Sequence, residues 1–215
     1  MSKNNVPVLD LPNRWEKLKR RADEQQLDAS EFVEPVDTAS KRVDQLLDLV
    51  KSSGGGVFEA ILGLSGSGKT TFVNTLPKFF DGIEVFSIPR ETKIRNIKDF
   101  IASKHGVGDD LKVFLIERRD NPSEEELSQV RDFFVDLLDF FRMPEGTVLV
   151  LWTITDESAA KQISNIAWDI GRDSVVDQST KGLFYFRGLE KEKYFKVADN
   201  TARNLTGDGL EVFGI

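Results

Sequence analysis

The octapeptide Gly63-Leu64-Ser65-Gly66-Ser67-Gly68-Lys69-Thr70 matches G-x-x-x-x-G-K-[ST] at every fixed position, the pattern of a P-loop that cradles a polyphosphate. Each residue type has a physical task. Gly63, Gly66 and Gly68 let the backbone turn tightly and bring successive N–H groups, those of Ser65 and Ser67 among them, toward phosphate oxygens. A side chain at Gly68 is expected to clash with the turn or with the ligand. Lys69 supplies a flexible point charge for the β- and γ-phosphates, the Thr70 hydroxyl is placed to join an Mg2+ shell, and Thr71 to face the α-phosphate.

Such a loop has to follow a buried strand and open a helix, so that the helix N-terminus adds its partial positive charge. Val57-Phe58-Glu59-Ala60-Ile61-Leu62 reads as the strand, after the flexible break Gly54-Gly55-Gly56. Phe72, Leu76, Phe79 and Phe80 then form an apolar stripe at helical spacing, which Pro77 should kink or end near Leu76. Motif and context together predict binding of a nucleoside triphosphate.

The flanking sequence supplies the remaining elements. Residues 1–13, with Pro7 and Pro12, read as an extended arm, and residues 14–26 as a short charged helix with Trp15, Leu18 and Ala22 on one side. After Pro35, Thr38 is expected to cap a helix whose stripe is Val43, Leu46, Leu47 and Val50. From the glycine loop onward, strand and helix alternate. Strands are expected at 83–88 (stopped by Pro89), 113–116, 148–152 and 183–186. Helices are expected at 94–104, at 158–170, near 191–204, and from a capping box of Ser123 and Glu126 through Leu127, Val130, Phe133, Phe134, Leu137, Leu138 and Phe141. The pattern predicts an α/β fold with a mostly parallel five-stranded sheet covered on both faces and an N-terminal helical extension. It divides as 1–52 arm and helices, 53–190 core, and 191–215 a C-terminal helix that begins a lid.

Phosphoryl transfer on such a loop needs an acid near Mg2+, at the end of a strand neighbouring the P-loop strand. The strand Val113–Ile116, followed by Glu117-Arg118-Arg119-Asp120, ends this way. With the glycine loop and five strands in this sequence order, residues 40–205 resemble the additional-strand P-loop ATPases, the group that includes AAA+ and STAND proteins. The resemblance implies a three-layer P-loop NTPase fold, ATP and Mg2+ as cofactors, and a module that couples nucleotide state to downstream domains or to a homo-oligomer. Carried over by position, Glu117 takes the place of the Walker B aspartate and holds the metal with Thr70. The next position, usually the glutamate that activates water, is Arg118, a departure. Asp120 then serves as the base, or Glu117 does both jobs, or hydrolysis is slow and nucleotide acts as a switch. Thr155 or Thr153, after the strand ending at Trp152, takes the place of the polar residue that contacts the γ-phosphate or the attacking water, and Asp156 caps the next helix. Arg187 and Arg203 are candidates for a trans arginine or a lid sensor, each with a surface salt bridge as the plainer reading. Arg90, Lys93 and Arg95 form a basic cluster of a kind that is commonly a solvated turn, and His105 caps or packs at a helix end.

Composition narrows the alternatives. The chain has 215 residues, 40% hydrophobic and 30% charged, with sixteen phenylalanines to fill a core. It has no cysteine and one histidine, which excludes disulfides and Cys-based zinc sites. A net charge of −7 argues against bulk electrostatic binding of nucleic acid, and the run Arg14, Lys17, Lys19, Arg20, Arg21 reads as a solvated helix face. No apolar stretch has the length of a membrane span, about 18 residues or more. With no apolar leader in Met1-Ser2-Lys3-Asn4-Asn5, a cytoplasmic location is expected. A small-molecule kinase transferring the γ-phosphate is the main alternative, with an acid in Ile88-Pro89-Arg90-Glu91; the segment 120–145 lacks that class's Arg-rich lid. A GTP switch would need an Asn/Thr-Lys-x-Asp element, and none occurs. The tail, ending Val212-Phe213-Gly214-Ile215, reads as a boundary inside a longer protein.

Overall fold

Five apolar runs become five strands: β1 Val57–Leu62, β2 Ile83–Ile88, β3 Leu111–Glu117, β4 Val148–Ile154 and β5 Leu183–Tyr185. The structure, a computed structural model, describes residues 15–28, 36–104, 110–117, 124–143, 146–171 and 175–207. The strand order is β2-β3-β4-β1-β5, and every neighbouring pair is parallel. Parallel neighbours need crossovers, and helices supply them: α3 Lys69–Asn74, α4 Leu76–Phe79, α5 Ile97–Ser103, α6 Glu124–Phe141 and α7 Glu157–Gly171. The order corrects one expectation. The strand ending in Glu117 is not a neighbour of β1, because β4 lies between them.

Alternation along each strand divides the side chains between two faces. Phe58, Ala60, Phe114, Ile116, Val150, Trp152 and Ile154 join Phe133, Phe134 and Leu137 of α6 and Ala160 and Ile163 of α7 in one buried cluster. The Phe58 ring meets Phe134 edge-on at 4.7 Å and Trp152 at 6.5 Å. The opposite face carries Val57, Ile61, Val113, Leu115, Leu149 and Leu151. There α2, Asp37–Ser53, packs on β1 and β4, and α3 on β2 and β3. The result is three layers, with the stripe Val43, Leu46, Leu47 and Val50 buried as its spacing predicted.

Local departures have local causes. The N-cap of α2 is Val36, whose side chain makes no cap bond, and the helix starts at Asp37, so Thr38 sits inside the first turn and not at the cap. Pro77 breaks the P-loop helix in two as expected, and the Thr75 hydroxyl donates at the break to the carbonyls of Thr71 and Phe72, at 2.9 and 3.1 Å. The helix expected at 94–104 begins as a 3-10 turn, Ile94–Asn96, before α5. Ser123, half of the expected capping box, lies outside the described residues.

Two compact units divide the chain: Val36–Gly188, and Met1–Pro35 together with Leu189–Ile215. In the latter, α1 (Trp15–Glu24) buries Leu18 and Ala22 with Leu27 and Leu205, the last from α8, Lys191–Thr206. Gln25 Nε2 donates to the Leu205 carbonyl at 3.1 Å. Lys17, Lys19 and Arg20 are exposed on α1, a solvated face. Among the described residues no helix is long and apolar enough to cross a membrane.

One polar network is sealed in the larger unit. Glu59, in the middle of β1, is 0% exposed. Arg42 of α2 meets it with two bonds of 3.0 Å and also donates to Asp177 at 2.7 Å and to Thr180 at 2.8 Å, both in the segment before β5. Burial pushes the Glu59 carboxyl above its ordinary 4.5, and the bonds from Arg42 offset only part of that. For Arg42, burial works against the charge, but the two carboxylates outweigh it and raise its pKa. Burial also works against the Asp177 charge, yet bonds from Arg42 and from Ser179 outweigh it and hold that carboxyl below its ordinary 3.8.

Removing one partner leaves a buried charge uncompensated. Arg42→Ala is expected to cost about 3–5 kcal/mol in chemical denaturation, whereas the apolar pair Arg42→Met with Glu59→Leu costs less or stabilises. The contribution of Asp177 is fully present above pH 3.8 and is lost as pH falls through the depressed folded value. The stability difference between the chain and Asp177→Asn should accordingly shrink below that pH.

Candidate functional site

The backbone of the glycine loop explains its composition. Gly66 and Gly68 have φ of +78° and +91°, a region that side chains disfavour. Among the described residues a Cβ on either meets nothing within 4 Å. The expected clash at Gly68 with the turn is therefore corrected: the demand is conformational, and the space beside it is open. Gly63 differs, because a Cβ there would lie 2.6 Å from the Phe186 carbonyl oxygen. Within the loop the Ser67 N–H donates to the Leu64 carbonyl at 3.2 Å, and the Phe72 N–H to Gly68 at 2.8 Å, which opens α3.

Lys69 is buried, and its Nζ donates to the carbonyls of Gly63 at 2.6 Å and Leu64 at 2.9 Å. Among the described residues the buried Ser67 hydroxyl has no hydrogen-bond partner. Thr70 and Thr71 sit half-buried in the first turn of α3. Leu64 and Ser65 are exposed.

Neighbouring strands hold this loop on two sides. The Gly63 N–H donates to the Ile154 carbonyl at the end of β4, at 3.2 Å, and the Phe186 N–H donates to Leu62 at 2.7 Å. The Phe186 ring lies 5.5 Å from that of Phe72 in α3. Gly188, at φ +79°, approaches so closely that a Cβ would lie 3.1 Å from the Ser67 carbonyl oxygen. Arg187, exposed, stands between these two contacts.

The acid lies at the same C-terminal edge of the sheet. Glu117 ends β3 in register with Thr153 of β4, which is in register with Ile61 of β1. Its side chain is 9% exposed, and Arg90, after β2, places Nε at 2.7 Å and a terminal guanidinium nitrogen at 2.6 Å from the same oxygen, Oε2. Thr153 is buried with Oγ1 3.5 Å from the Ile116 carbonyl. Thr155 follows the end of β4, next to the residue that binds Gly63. Asp156 accepts the Ala159 N–H at 2.7 Å, the cap expected of it.

The sheet edge thus assembles Gly63 to Thr71, Glu117, Thr153 and the strand end of Thr155. Arg203 instead bonds Asp199, one turn away on α8, at 2.8 Å. Lys93 and Arg95 are exposed. His105, Arg118, Arg119 and Asp120 lie outside the described residues. Among the described residues no group of three or more His, Cys, Asp or Glu side chains could hold a metal by itself. Sequence reasoning missed the Arg90–Glu117 pair, the approach of residues 186–188 and the Arg42 network. A charge at Glu59 inside an apolar strand was the signal for the last.

Comparison with protein-family models finds no match, and comparison with curated proteins finds none either. Among solved structures, the Aeropyrum pernix Orc1 protein in complex with DNA is similar at a TM-score of 0.49 and 12% identity, over 82% of this chain and 52% of that one. The present chain spans about half the length of that protein chain.

The glycine demands differ in kind and should separate on measurement. Gly68→Ala is expected to cost about 1–2 kcal/mol in chemical denaturation, the left-handed penalty alone. Gly63→Ala should cost more, because a backbone oxygen must give way.

Proposed function

We propose that the chain is an ATP-binding and ATP-hydrolysing P-loop module that couples nucleotide state to partner domains or to self-association in the cytoplasm. The observation that carries this reading is the complete glycine-lysine-threonine loop, set between a buried strand and a helix, with Glu117 on the same edge of the sheet. The chemistry present fits the ligand. Among the described residues, space is open beside Gly66 and Gly68 and the buried Ser67 hydroxyl is without a partner, and Lys69 sits at the loop's own carbonyls. Oxygen donors from Thr70 and Glu117 suit Mg2+, which keeps several waters and phosphate oxygens in its shell.

In this reading Gly63, Ser65, Gly66, Ser67, Gly68, Lys69, Thr70 and Thr71 hold the phosphates, and Thr70 and Glu117 hold the metal. When bound, Mg2+ neutralises charge on the β- and γ-phosphates. Asp120 orients the attacking water, or Glu117 takes that role as well, with Thr155 or Thr153 at the γ-phosphate. The strand order supports an additional-strand ATPase over the kinase alternative, since β4 separates the P-loop strand from the acid-ending strand. Adenine is preferred over guanine because the sequence has no Asn/Thr-Lys-x-Asp element.

Lys69→Ala should abolish ATP binding in calorimetry while the circular dichroism spectrum stays native; unchanged affinity overturns the reading. Glu117→Gln should lower Mg2+-dependent turnover more than it lowers binding, and turnover equal to the parent's would remove Glu117 from the site. If self-association completes the site, turnover per molecule rises with protein concentration.

A further inference from the structure

Arg187 is exposed, and the backbone on either side of it is fastened to the glycine loop. On one side the Phe186 N–H donates to the Leu62 carbonyl at 2.7 Å, the Phe186 ring lies 5.5 Å from that of Phe72, and the Phe186 carbonyl crowds Gly63. On the other, Gly188 turns the chain at φ +79° and passes close to Ser67, whose carbonyl oxygen lies 3.1 Å from where a Cβ would stand. Gly63 opens the loop and Ser67 lies in its middle, so the chain at Arg187 is held against both. A guanidinium mounted on such a backbone gives up only side-chain rotamer freedom when it takes a ligand.

The strand order decides which part of a ligand it meets. β4 and β3, which carry Thr153 and Glu117 at their ends, lie on one side of β1. β5, which leads into Arg187, lies on the other. With the metal-bearing β- and γ-phosphates toward Glu117, the α-phosphate and the nucleoside lie toward β5. We propose that Arg187 binds the α-phosphate in cis, and is neither an arginine finger for a second copy nor a sensor of the γ-phosphate. The inference rests on the reading of the glycine loop as a triphosphate site with Glu117 at the metal. Its consequence is retention of product: the α-phosphate is common to ATP and ADP, so Arg187 adds occupancy without telling the two states apart.

The test uses the full chain, Arg187→Gln and Arg187→Lys, with calorimetric titration of MgATP and MgADP and with turnover measured across ATP and protein concentration. Arg187→Gln should weaken both nucleotides equally, about tenfold, the scale of one hydrogen bond to a charged group. Arg187→Lys should recover part of the loss, and the loss should shrink as NaCl is raised. In turnover the change should fall on KM, while the melting temperature without nucleotide stays at the parent's. A loss confined to ATP would put Arg187 at the γ-phosphate and overturns the proposal. Parental affinities with a kcat that falls and no longer depends on protein concentration would make it a trans arginine, which overturns it too. If the parent binds neither nucleotide, the triphosphate reading fails and this one with it; if parent and Arg187→Gln bind both equally well, this one alone fails.

Discussion

Glu59 carries a carboxylate in the strand that leads into the glycine loop, and it is wholly shielded from solvent. An isolated charge in that position is too costly to keep, so the fold is obliged to bring a cation to it. Arg42 answers, and in doing so it commits α2 to one position against β1. Its remaining donors reach Asp177 and Thr180, which lie in the segment that returns to pair β5 beside β1. One guanidinium therefore sets the helix before the P-loop strand and the strand beside it. The loop inherits its position from those two neighbours.

At the other end of β1 the control passes to the backbone. A parallel sheet sends every strand end to one edge, so residues far apart in sequence arrive together without a dedicated interaction. Glu117 and Thr153 share a register position although 36 residues separate them. Gly63 is caught between the Ile154 carbonyl and the Phe186 carbonyl, and Ser67 is closed over by Gly188. The glycines are thus demanded by two different agents: Gly66 and Gly68 by the turn itself, Gly63 and Gly188 by neighbouring chain.

These distinctions mark the limit of what could be read in the sequence. β1 and β2 were legible to the residue because glycine and proline punctuate their ends. β3 was read short: Lys112 looks like a strand terminator, yet it is buried within the strand and paired with Glu84 at 2.9 Å. Strand order was invisible, since periodicity gives each strand a face and not a neighbour. In the site, the loop and Glu117 were legible as local patterns. Arg90 was visible only as one of three cations on a turn, because an ion pair across 27 residues leaves no periodic trace. Arg42 was harder still, a charge beside the apolar stripe whose partners lie 17 and 135 residues away.

The lysine of the loop is already engaged by the carbonyls of Gly63 and Leu64. Its ammonium thus acts as an internal cross-link between the end of the loop and its beginning. Under the proposed reading, a phosphate would not meet a bare charge but would compete with the loop's own carbonyl oxygens for these donors. The gain would be the difference between a bond to an anion and one to a neutral carbonyl, with part of the loop's ordering cost settled in advance. Under the proposed reading the residue that cross-links the loop is also the one that grips the phosphate, which would tie the loop's stiffness to the strength of its hold.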